Sequence, residues 1–371
     1  MHSIFYYSHE LAQYDFGPDH PFKPERAQKT YELCNRYGVL NHPHITLKTP
    51  PTLERERLLL AHSSEYLDAL ERVSQGELFQ GMLQFGIGTE DNPPLRGIYE
   101  WSANCAGATW DGMTALLEGK ADIAFNPLGG FHHARRSQAE GFCYINDLVI
   151  AIEEALVHHA RITYIDIDAH HGNGVQEAFY GNNRVQVISM HESGKFLYPF
   201  SGSGEESGEA QGQGFTINIP LPPGTDDELY LKVFHRIVIP LIEGFKPDFL
   251  VAEIGADTMV SDPLTDFMLT NNSYTEVVRN LKELCGKILA TGGGGYDIYR
   301  TARCWTLAWA ILNDIEPKDE FAGLVGGMMF GPEMEVSSLH DRPYTVTGPQ
   351  KNKMRQEVED IIAYLIKRHN L

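Results

Sequence analysis

Short apolar runs rich in β-branched residues alternate along this chain with longer amphipathic stretches, and this alternation restricts the fold more than any other feature. The runs predict strands at residues 121–126, 162–167, 185–190, 249–254 and 287–291. Between them, residues 144–160 and 227–245 are each long enough for a helix that leads from one strand to the next. Strands connected in this way are parallel, and helices cover both faces of their sheet. The sequence therefore predicts an α/β fold around a mainly parallel sheet.

The remaining segments fit a single domain spanning residues 1–371. Residues 51–74 and 350–369 have helical patterns, whereas residues 86–97 and 201–214 are rich in glycine, proline or acidic side chains and predict surface loops. No long linker and no internal repeat is visible. A hydrophobic fraction of 42% in 371 residues is sufficient for a substantial core.

Composition excludes several functional classes. The chain has no apolar run long enough to span a membrane, and its first residues contain neither a basic leader nor an apolar segment, so we expect a cytoplasmic protein. The five cysteines form no CxxC pair, which favours reduced, buried thiols. The formal charge of -20 argues against direct nucleic-acid binding. It favours cationic partners, although a role in solubility alone is equally consistent with it.

Polar residues with catalytic potential follow each predicted strand. In strand order they are His132 and His133; Asp166, Asp168, His170 and His171; Ser189 and His191; Asp257; and Tyr296. In a parallel sheet, ligands bind beyond the carboxyl ends of the strands, where the loops converge. Taken singly, an aspartate caps a helix, a histidine packs in a core and a glycine run marks a turn. The combination at one edge predicts a functional site.

The Asp168-x-His170 spacing predicts a metal site. On an extended segment, residues two apart point the same way, so a carboxylate and an imidazole can reach one cation, and Asp166 would share that face. With Asp257 as a third ligand, two oxygens and one nitrogen suit a catalytic Zn²⁺ with an open position for water. Fe²⁺ also fits, because ligand type separates these metals poorly.

Several longer motifs resemble those of a known family. They are "HPFKPERA", "NPLGGFHHARRSQAEGFCYIND", "YIDIDAHHGNGVQEAFY", "GADT" and "GGGGYDIYRTARCW". In this order they resemble the zinc-dependent histone deacetylase family, including its bacterial deacetylase-like and acetoin-utilisation branch, over about residues 10 to 312. The resemblance implies an arginase-like α/β fold with an eight-stranded, mainly parallel sheet flanked by helices. It also implies hydrolysis of acetyl or other acyl groups on the ε-amine of lysine.

The resemblance assigns roles to individual residues. It makes Asp168, His170 and Asp257 the zinc ligands, His132 and His133 a general acid/base pair without deciding which is which, and Tyr296 the hydrogen-bond donor to the oxyanion. Asp166 would hydrogen-bond the first histidine and Asn173 would orient the second. Many family members carry aspartate at the position of Asn173. Because a neutral amide cannot favour an imidazolium electrostatically, we expect the two histidines to titrate differently.

Further positions would bind substrate or monovalent cations. Gly141, Phe142, Tyr198 and Gly294 match the substrate tunnel, and Asp91 and Leu264 match its rim. Relatives specialised for acetylated polyamines have an acidic residue at the position of Leu264, so the apolar side chain favours acyl-lysine. Two K⁺ or Na⁺ sites would use Asp166, Asp168, His170, Ser189 and Met190, and Phe179, Asn182, Val185 and Phe215.

Other functions remain as alternatives. An acetylpolyamine or other small N-acetyl amine deacetylase would share the chemistry. An arginase-type ureohydrolase would need acids in place of Gly172 and Met259, and a non-catalytic acyl-lysine reader would not need His132, His133 and Tyr296 together. The sequence leaves open the physiological substrate, the preferred acyl chain, the native metal and the oligomeric state.

Overall fold

The computed structural model describes residues 1–317 and 339–371. Eight parallel strands form one sheet in the order β2-β1-β3-β8-β7-β4-β5-β6. The strands are β1 (Ser3–Tyr6), β2 (Ile45–Lys48), β3 (Ile123–Asn126), β4 (Ile162–Asp166), β5 (Val185–Glu192), β6 (Thr216–Leu221), β7 (Phe249–Glu253) and β8 (Ile288–Thr291). The predicted α/β class and the eight-stranded parallel sheet are confirmed.

Helices cover both faces of this sheet. They are α1 (His9–Ala12), α2 (Glu25–Arg36), α3 (Arg55–Leu58), α4 (Ser64–Ser74), α5 (Ile98–Leu117), α6 (Asp147–Val157), α7 (Asn173–Phe179), α8 (Asp227–Val233), α9 (Ile239–Phe245), α10 (Asn271–Leu284), α11 (Ile298–Leu312) and α12 (Pro349–His369). A π-helical turn, Phe234–Val238, joins α8 to α9. Successive strand residues point to opposite faces, so Tyr164 packs in a core with α4 to α6, and Ile165 in one with α8 to α12.

All five predicted strands are present, and three further strands escaped prediction. β2 has three exposed residues out of four and so lacks an apolar run, while β6 alternates apolar and polar residues and contains Pro220. Both lie at the edges of the sheet, where exposed residues and proline are tolerated. The helical pattern of residues 51–74 is divided into α3 and α4, because the Ser63 hydroxyl accepts a hydrogen bond from Tyr66 N and starts a new helix.

Helix α12 packs against α8 and β6 and holds part of the 201–214 loop. Its buried Lys351 pairs with Asp226 at the start of α8. Arg368 donates hydrogen bonds to Glu205 O (2.9 Å) and Ser207 Oγ (2.6 Å). The predicted loop and α12 therefore pack against each other beside the edge strand β6. Within residues 1–317 and 339–371, every helix is too short or too polar to serve as a membrane span.

Candidate active site

The predicted site residues follow four neighbouring strands at the centre of the sheet. The strands β3, β8, β7 and β4 are adjacent in that order. Their carboxyl ends lead to His132 and His133, to Tyr296, to Asp257, and to Asp168 and His170, respectively. Because parallel strands end at the same edge, side chains far apart in sequence meet here.

The predicted metal ligands Asp168, His170 and Asp257 lie together. Nδ1 of His170 is 3.1 Å from Asp168 Oδ1 and 2.8 Å from Asp257 Oδ2. All three side chains are buried, and their ligand atoms lie within 4.8 Å of one another. The extended geometry predicted for this segment is wrong, because β4 ends at Asp166 and residues 168–170 form a bend. A hydrogen bond from His170 N to Asp168 Oδ1 (2.8 Å) closes the bend and brings the two side chains together.

Asp166 does not share the face of these ligands. Its Oδ2 accepts hydrogen bonds from His132 Nδ1 (2.9 Å) and from the Tyr164 hydroxyl (2.6 Å). A Cβ on Gly172 would lie 2.3 Å from the same oxygen, so only glycine allows this approach. The Asp166 carboxylate therefore orients His132.

The electrostatics of the three-residue cluster favour a cation. Burial opposes a charge on His170, but its hydrogen bonds to Asp168 and Asp257 outweigh burial and raise its pKa to about 10. Burial also opposes ionisation of Asp168, but the hydrogen bond from His170 and the nearby His132 lower the pKa of this carboxyl well below its usual range. Burial and the neighbouring Asp168 raise the pKa of Asp257 to about 7, so the ionised Asp168 chiefly stabilises positive charge where the two acids meet the imidazole.

His132 and His133 form a buried pair whose Nε2 atoms lie 3.2 Å apart. Nδ1 of His132 donates to Asp166 Oδ2, and Nδ1 of His133 donates to Asn173 Oδ1 (2.7 Å). Because both Nδ1 atoms carry hydrogen, a hydrogen bond between the Nε2 atoms requires one further proton on the pair. Although burial opposes it, the Asp166 carboxylate raises the pKa of His132, whereas burial, His132 and His170 lower the pKa of His133 well below its usual range. The shared proton therefore resides on His132.

Glu140 fixes the orientation of Asn173. The Asn173 Nδ2 donates to Glu140 Oε1 (2.9 Å), which turns Oδ1 of the amide toward His133. Glu140 Oε2 in turn accepts from Arg135 Nε. The amide therefore positions the His133 ring without adding a negative charge beside it.

Tyr296 follows β8 in a glycine-rich loop that other residues hold in place. The buried Arg26 donates to the carbonyl oxygens of Gly293 and Gly295, and Asp262 Oδ2 accepts from Tyr296 N (2.9 Å). The Tyr296 ring lies 6.3 Å from the His170 ring. Burial and the carboxylates of Asp257 and Asp168 raise the pKa of Tyr296 well above its usual value, so its hydroxyl keeps its proton.

Gly294 approaches the metal-ligand cluster closely. Its N–H donates to Asp168 Oδ2 (2.6 Å). A Cβ at this position would lie 2.2 Å from Asp257 Oδ2 and 2.6 Å from Asp168 Oδ2. Glycine is therefore required for the loop to orient Asp168.

Two aromatic side chains stand beside the site. The Phe142 ring is 5.8 Å from that of Tyr296, and the Tyr198 ring is 5.3 Å from that of His133. Between them, Gly141 has φ +53°, and a Cβ there would lie 2.4 Å from the His133 ring. A cavity of about 20 Å³ is bordered by Gly141, Phe142, His132, His133, Tyr296, Gly294 and Asp168. A narrow opening thus reaches Asp168, one of the predicted metal ligands.

The two predicted rim residues lie outside the residues that border the cavity. Asp91 is exposed, and its carbonyl oxygen faces His20 Nε2 at 3.1 Å. The His20 ring packs 4.8 Å from that of Phe142. Leu264 is partly exposed, and its N–H donates to Asp262 Oδ1 (3.0 Å), which links it to Tyr296.

The first predicted monovalent cation site lies around strands β4 and β5, and residues of the second lie at the end of α7 and before β6. In the first, Ser189 on β5 lies beside Asp166 on β4, and its hydroxyl is 2.8 Å from His191 Nδ1. In the second, Phe179 O accepts from Asn182 N (3.0 Å) at the end of α7. Nearby on β5, Val187 N donates to Phe215 O (2.8 Å). The other members, Asp168, His170, Met190 and Val185, are buried.

Glu253 is a buried acidic residue that sequence reasoning missed. It ends β7 and pairs in register with Asp166 on β4. Its Oε2 accepts from Gly255 N (3.1 Å), whereas its Oε1 is buried without a hydrogen-bond partner among the described residues and lies 4.0 Å from His132 Nδ1. Burial, Asp168 and Asp166 raise the pKa of this carboxyl well above its usual range. A lone carboxylate in the otherwise apolar run "FLVAEI" was the available signal.

Known proteins match this chain along most of its length. A family model described as histone deacetylase domain matches residues 20–312. The chain is 37% identical to the probable histone deacetylase 19 of Zea mays over 98% of this chain and 69% of that protein. It is 38% identical to histone deacetylase B of Dictyostelium discoideum, over 85% and 75% of the two chains. It is 34% identical to histone deacetylase 1 of Homo sapiens, over 96% and 73%.

Solved structures have the same fold. A crystal structure of an HDAC homolog from Aquifex aeolicus has a TM-score of 0.86 and 30% identity, covering 98% of this chain and 100% of that one. An HDAC homolog complexed with SAHA also has a TM-score of 0.86, at 31% identity over 98% and 99% of the two chains. The relatives span plants, an amoeba, a mammal and a bacterium, so the assignment to a bacterial branch stays a prediction. The chain belongs to the histone deacetylase family.

Proposed function

We propose that this protein is a zinc-dependent deacetylase that hydrolyses the acyl amide on the ε-amine of lysine in a protein or peptide. One observation carries the proposal: a buried cluster of two carboxylates and one imidazole, a histidine pair and a protonated tyrosine all border or adjoin one narrow cavity. Family membership supports the same chemistry.

The donor set of the cluster fits a catalytic zinc ion. Asp168 and Asp257 supply oxygens, His170 supplies Nδ1, and the carboxylates already hold positive charge at that nitrogen. No thiolate is among these three ligands, which favours a site with an open position over a closed structural one. These three residues would hold a zinc ion, which would supply Lewis acidity toward the acyl carbonyl and toward water near neutral pH. Fe²⁺ is the alternative metal.

The histidine pair handles the protons. His133 has the lowered pKa and an unprotonated Nε2, so it suits the role of a base that accepts a proton from water. His132 holds a proton against Asp166 and suits the role of the acid that protonates the leaving amine. Tyr296, protonated and beside the same cavity, donates a hydrogen bond to the oxygen that becomes negative in the tetrahedral species.

The width and lining of the opening support a slender substrate. The apolar rings of Phe142 and Tyr198 suit the methylene stem of an acylated lysine, with Gly141 leaving room between them. Asp91 is exposed for contact with the substrate backbone, and the apolar Leu264 favours acyl-lysine over a charged polyamine. Potassium or sodium ions in the two groups around Ser189 and Phe179 would stabilise the neighbouring backbone.

A kinetic panel tests the proposal. Metal-loaded protein is given acetyl-lysine peptides, longer acyl-lysine peptides and N-acetylated polyamines, and release of the acid is measured together with metal content. We expect acyl-lysine peptides to have the highest kcat/KM. Preferential hydrolysis of acetylated polyamines would support the small-amine alternative. Binding of acyl-lysine without hydrolysis by metal-loaded protein would identify a reader and refute the enzyme assignment.

A further inference from the structure

The loop after β5 exposes two phenylalanines next to the candidate active site. Phe196 is 65% and Phe200 is 70% exposed. Phe200 also has φ +61°, a left-handed conformation that bulky side chains rarely adopt. Strained residues of this kind are more frequent at active sites and ligand-binding surfaces than elsewhere.

These rings border a cleft of about 610 Å³ between residues 193–203 and helix α12. The opposite wall contains Glu357, Asp360 and Ile361 of α12. Glu357 has an exposed ion pair with Lys353 (3.7 Å), a contact of little energy in water. Glu206 adds a further carboxylate and Lys195 the opposing charge, so the cleft combines apolar surface with net negative charge.

We propose that this cleft binds an arginine or lysine side chain of the same polypeptide that presents the acyl-lysine. The inference rests on the proposed function and names its substrate class more closely. A cation on an apolar stem matches both features of the cleft, because its charge pairs with carboxylates and its planar or ammonium head lies favourably over aromatic rings. The formal charge of -20 adds long-range attraction for such a segment.

The cleft lies close to the candidate active site. The Phe200 ring is 6.2 Å from that of Tyr198, which is 5.3 Å from that of His133. An extended peptide advances about 3.3 Å per residue, so a cation about three to five residues from the acyl-lysine would reach the cleft. Both sites lie at the carboxyl edge of the sheet, since Pro220 and Pro222 at the end of β6 also border the cleft.

Paired peptides test the inference. Each acetyl-lysine peptide carries one arginine at a varied distance on either side, and its partner has citrulline, which is neutral and similar in shape. For the wild-type protein we expect about three- to tenfold higher kcat/KM for the arginine peptide at the best position, decreasing with added salt. Binding of the same peptides is measured by fluorescence anisotropy, so the comparison does not depend on turnover.

Two variants remove separate parts of the cleft. Glu357→Gln with Asp360→Asn removes charge, and Phe200→Gly removes the ring while keeping a residue that adopts φ +61° without strain. Both variants should bring kcat/KM for the arginine peptide down toward that for the citrulline peptide. Neither variant should change kcat/KM for the citrulline peptides. The double variant Glu118→Gln, Glu283→Gln is the matched control, because it also removes two negative charges but far from the proposed cleft. Glu118 and Glu283 are sequence neighbours of Leu117 and Leu284, which border a different cleft at the amino ends of β4 and β7. The control should keep the wild-type ratio.

A ratio near one for wild-type protein at every position, or a ratio unchanged in both cleft variants, would overturn the inference. A change in oligomeric state of the cleft variants with no change in the ratio would also overturn it and indicate self-association. If all peptides are hydrolysed equally, only the cleft inference fails. If metal-loaded protein hydrolyses none of them, the proposed function fails. The ratio of the binding affinities for the arginine and citrulline peptides, measured by anisotropy, still tests whether the cleft binds the cation.

Discussion

Replacing Asn173 by aspartate would put a negative charge beside His133, whose Nδ1 now lies 2.7 Å from the amide oxygen. The single substitution is not a clean test, because Asn173 Nδ2 donates to Glu140 Oε1 at 2.9 Å. In Asn173→Asp alone, two carboxylate oxygens would face each other there and share a proton. The double variant Asn173→Asp, Glu140→Gln avoids this conflict, because the glutamine amide can donate to the new carboxylate.

The size of the effect follows from the geometry. Two unit charges about 4 Å apart interact by about 4 kcal/mol at an effective dielectric constant of about 20, equivalent to about three pKa units. Burying the added carboxylate opposes part of this gain, so we expect the pKa of His133 to rise by about one to two units. In the wild-type protein, burial, His132 and His170 keep that pKa well below its usual range. The variant should therefore bring His133 closer to titration near neutral pH.

The assay is the pH dependence of kcat/KM for an acetyl-lysine peptide, measured on metal-loaded protein. If His133 is the base, the acidic limb moves to higher pH by the amount of the pKa shift. If His133 is instead the acid, the alkaline limb moves upward. Glu140→Gln alone is the control and should leave both limbs in place. Identical profiles for the double variant and the wild-type protein would refute the role assigned to Asn173.

Three other perturbations have defined outcomes. Tyr296→Phe should lower kcat by about 10²- to 10³-fold with little change in KM, since the lost donor acts on the transition state; a change in KM alone would contradict this. Metal binding to metal-free protein should release about one proton per site at a pH between the pKa of about 7 of Asp257 and the pKa of about 10 of His170, because only His170 must then lose a proton to bind; calorimetry in buffers of different ionisation enthalpy measures it, and no release would oppose ligation by His170. Burial lowers the pKa of His62 to about 4, whereas in the unfolded chain its pKa is about 6.5. The neutral His62 therefore costs the folded state nothing above about pH 6.5. As the pH falls toward 4, proton uptake by the unfolded chain lowers the free energy of unfolding by about 3 kcal/mol. Urea unfolding should show a weaker loss of stability with acidification in His62→Gln, and equal losses would contradict the effect.

The sequence predicted the parts of the site that depend on strand order and residue type. Because parallel strands end at one edge, the positions of His132, Asp168, Asp257 and Tyr296 after separate strands were enough to predict that they meet. The bend at residues 168–170 was not predictable from alternation, since it depends on a side-chain hydrogen bond from the backbone N–H of His170 to Asp168.

Long-range partners were the main omission. Glu140 is far from Asn173 in sequence, and Arg26 reaches a glycine loop near the other end of the chain. Neither position has a local pattern that predicts its contact. Glu253 did have one, a carboxylate in a buried strand, but its position beside His132 depends on the register between β4 and β7. These contacts are products of packing and become visible only in three dimensions.

Titration of metal-free protein with Zn²⁺, with acetate release from an acetyl-lysine peptide measured at each addition, tests the central claim most directly. If Asp168, His170 and Asp257 hold one catalytic metal ion, activity should begin near zero, rise in proportion to added metal and level off at about one equivalent per chain. His170→Ala should not gain comparable activity over the same range. Metal-free protein that releases acetate as fast as the loaded protein, or a His170→Ala variant that follows the wild-type curve, would contradict the claim.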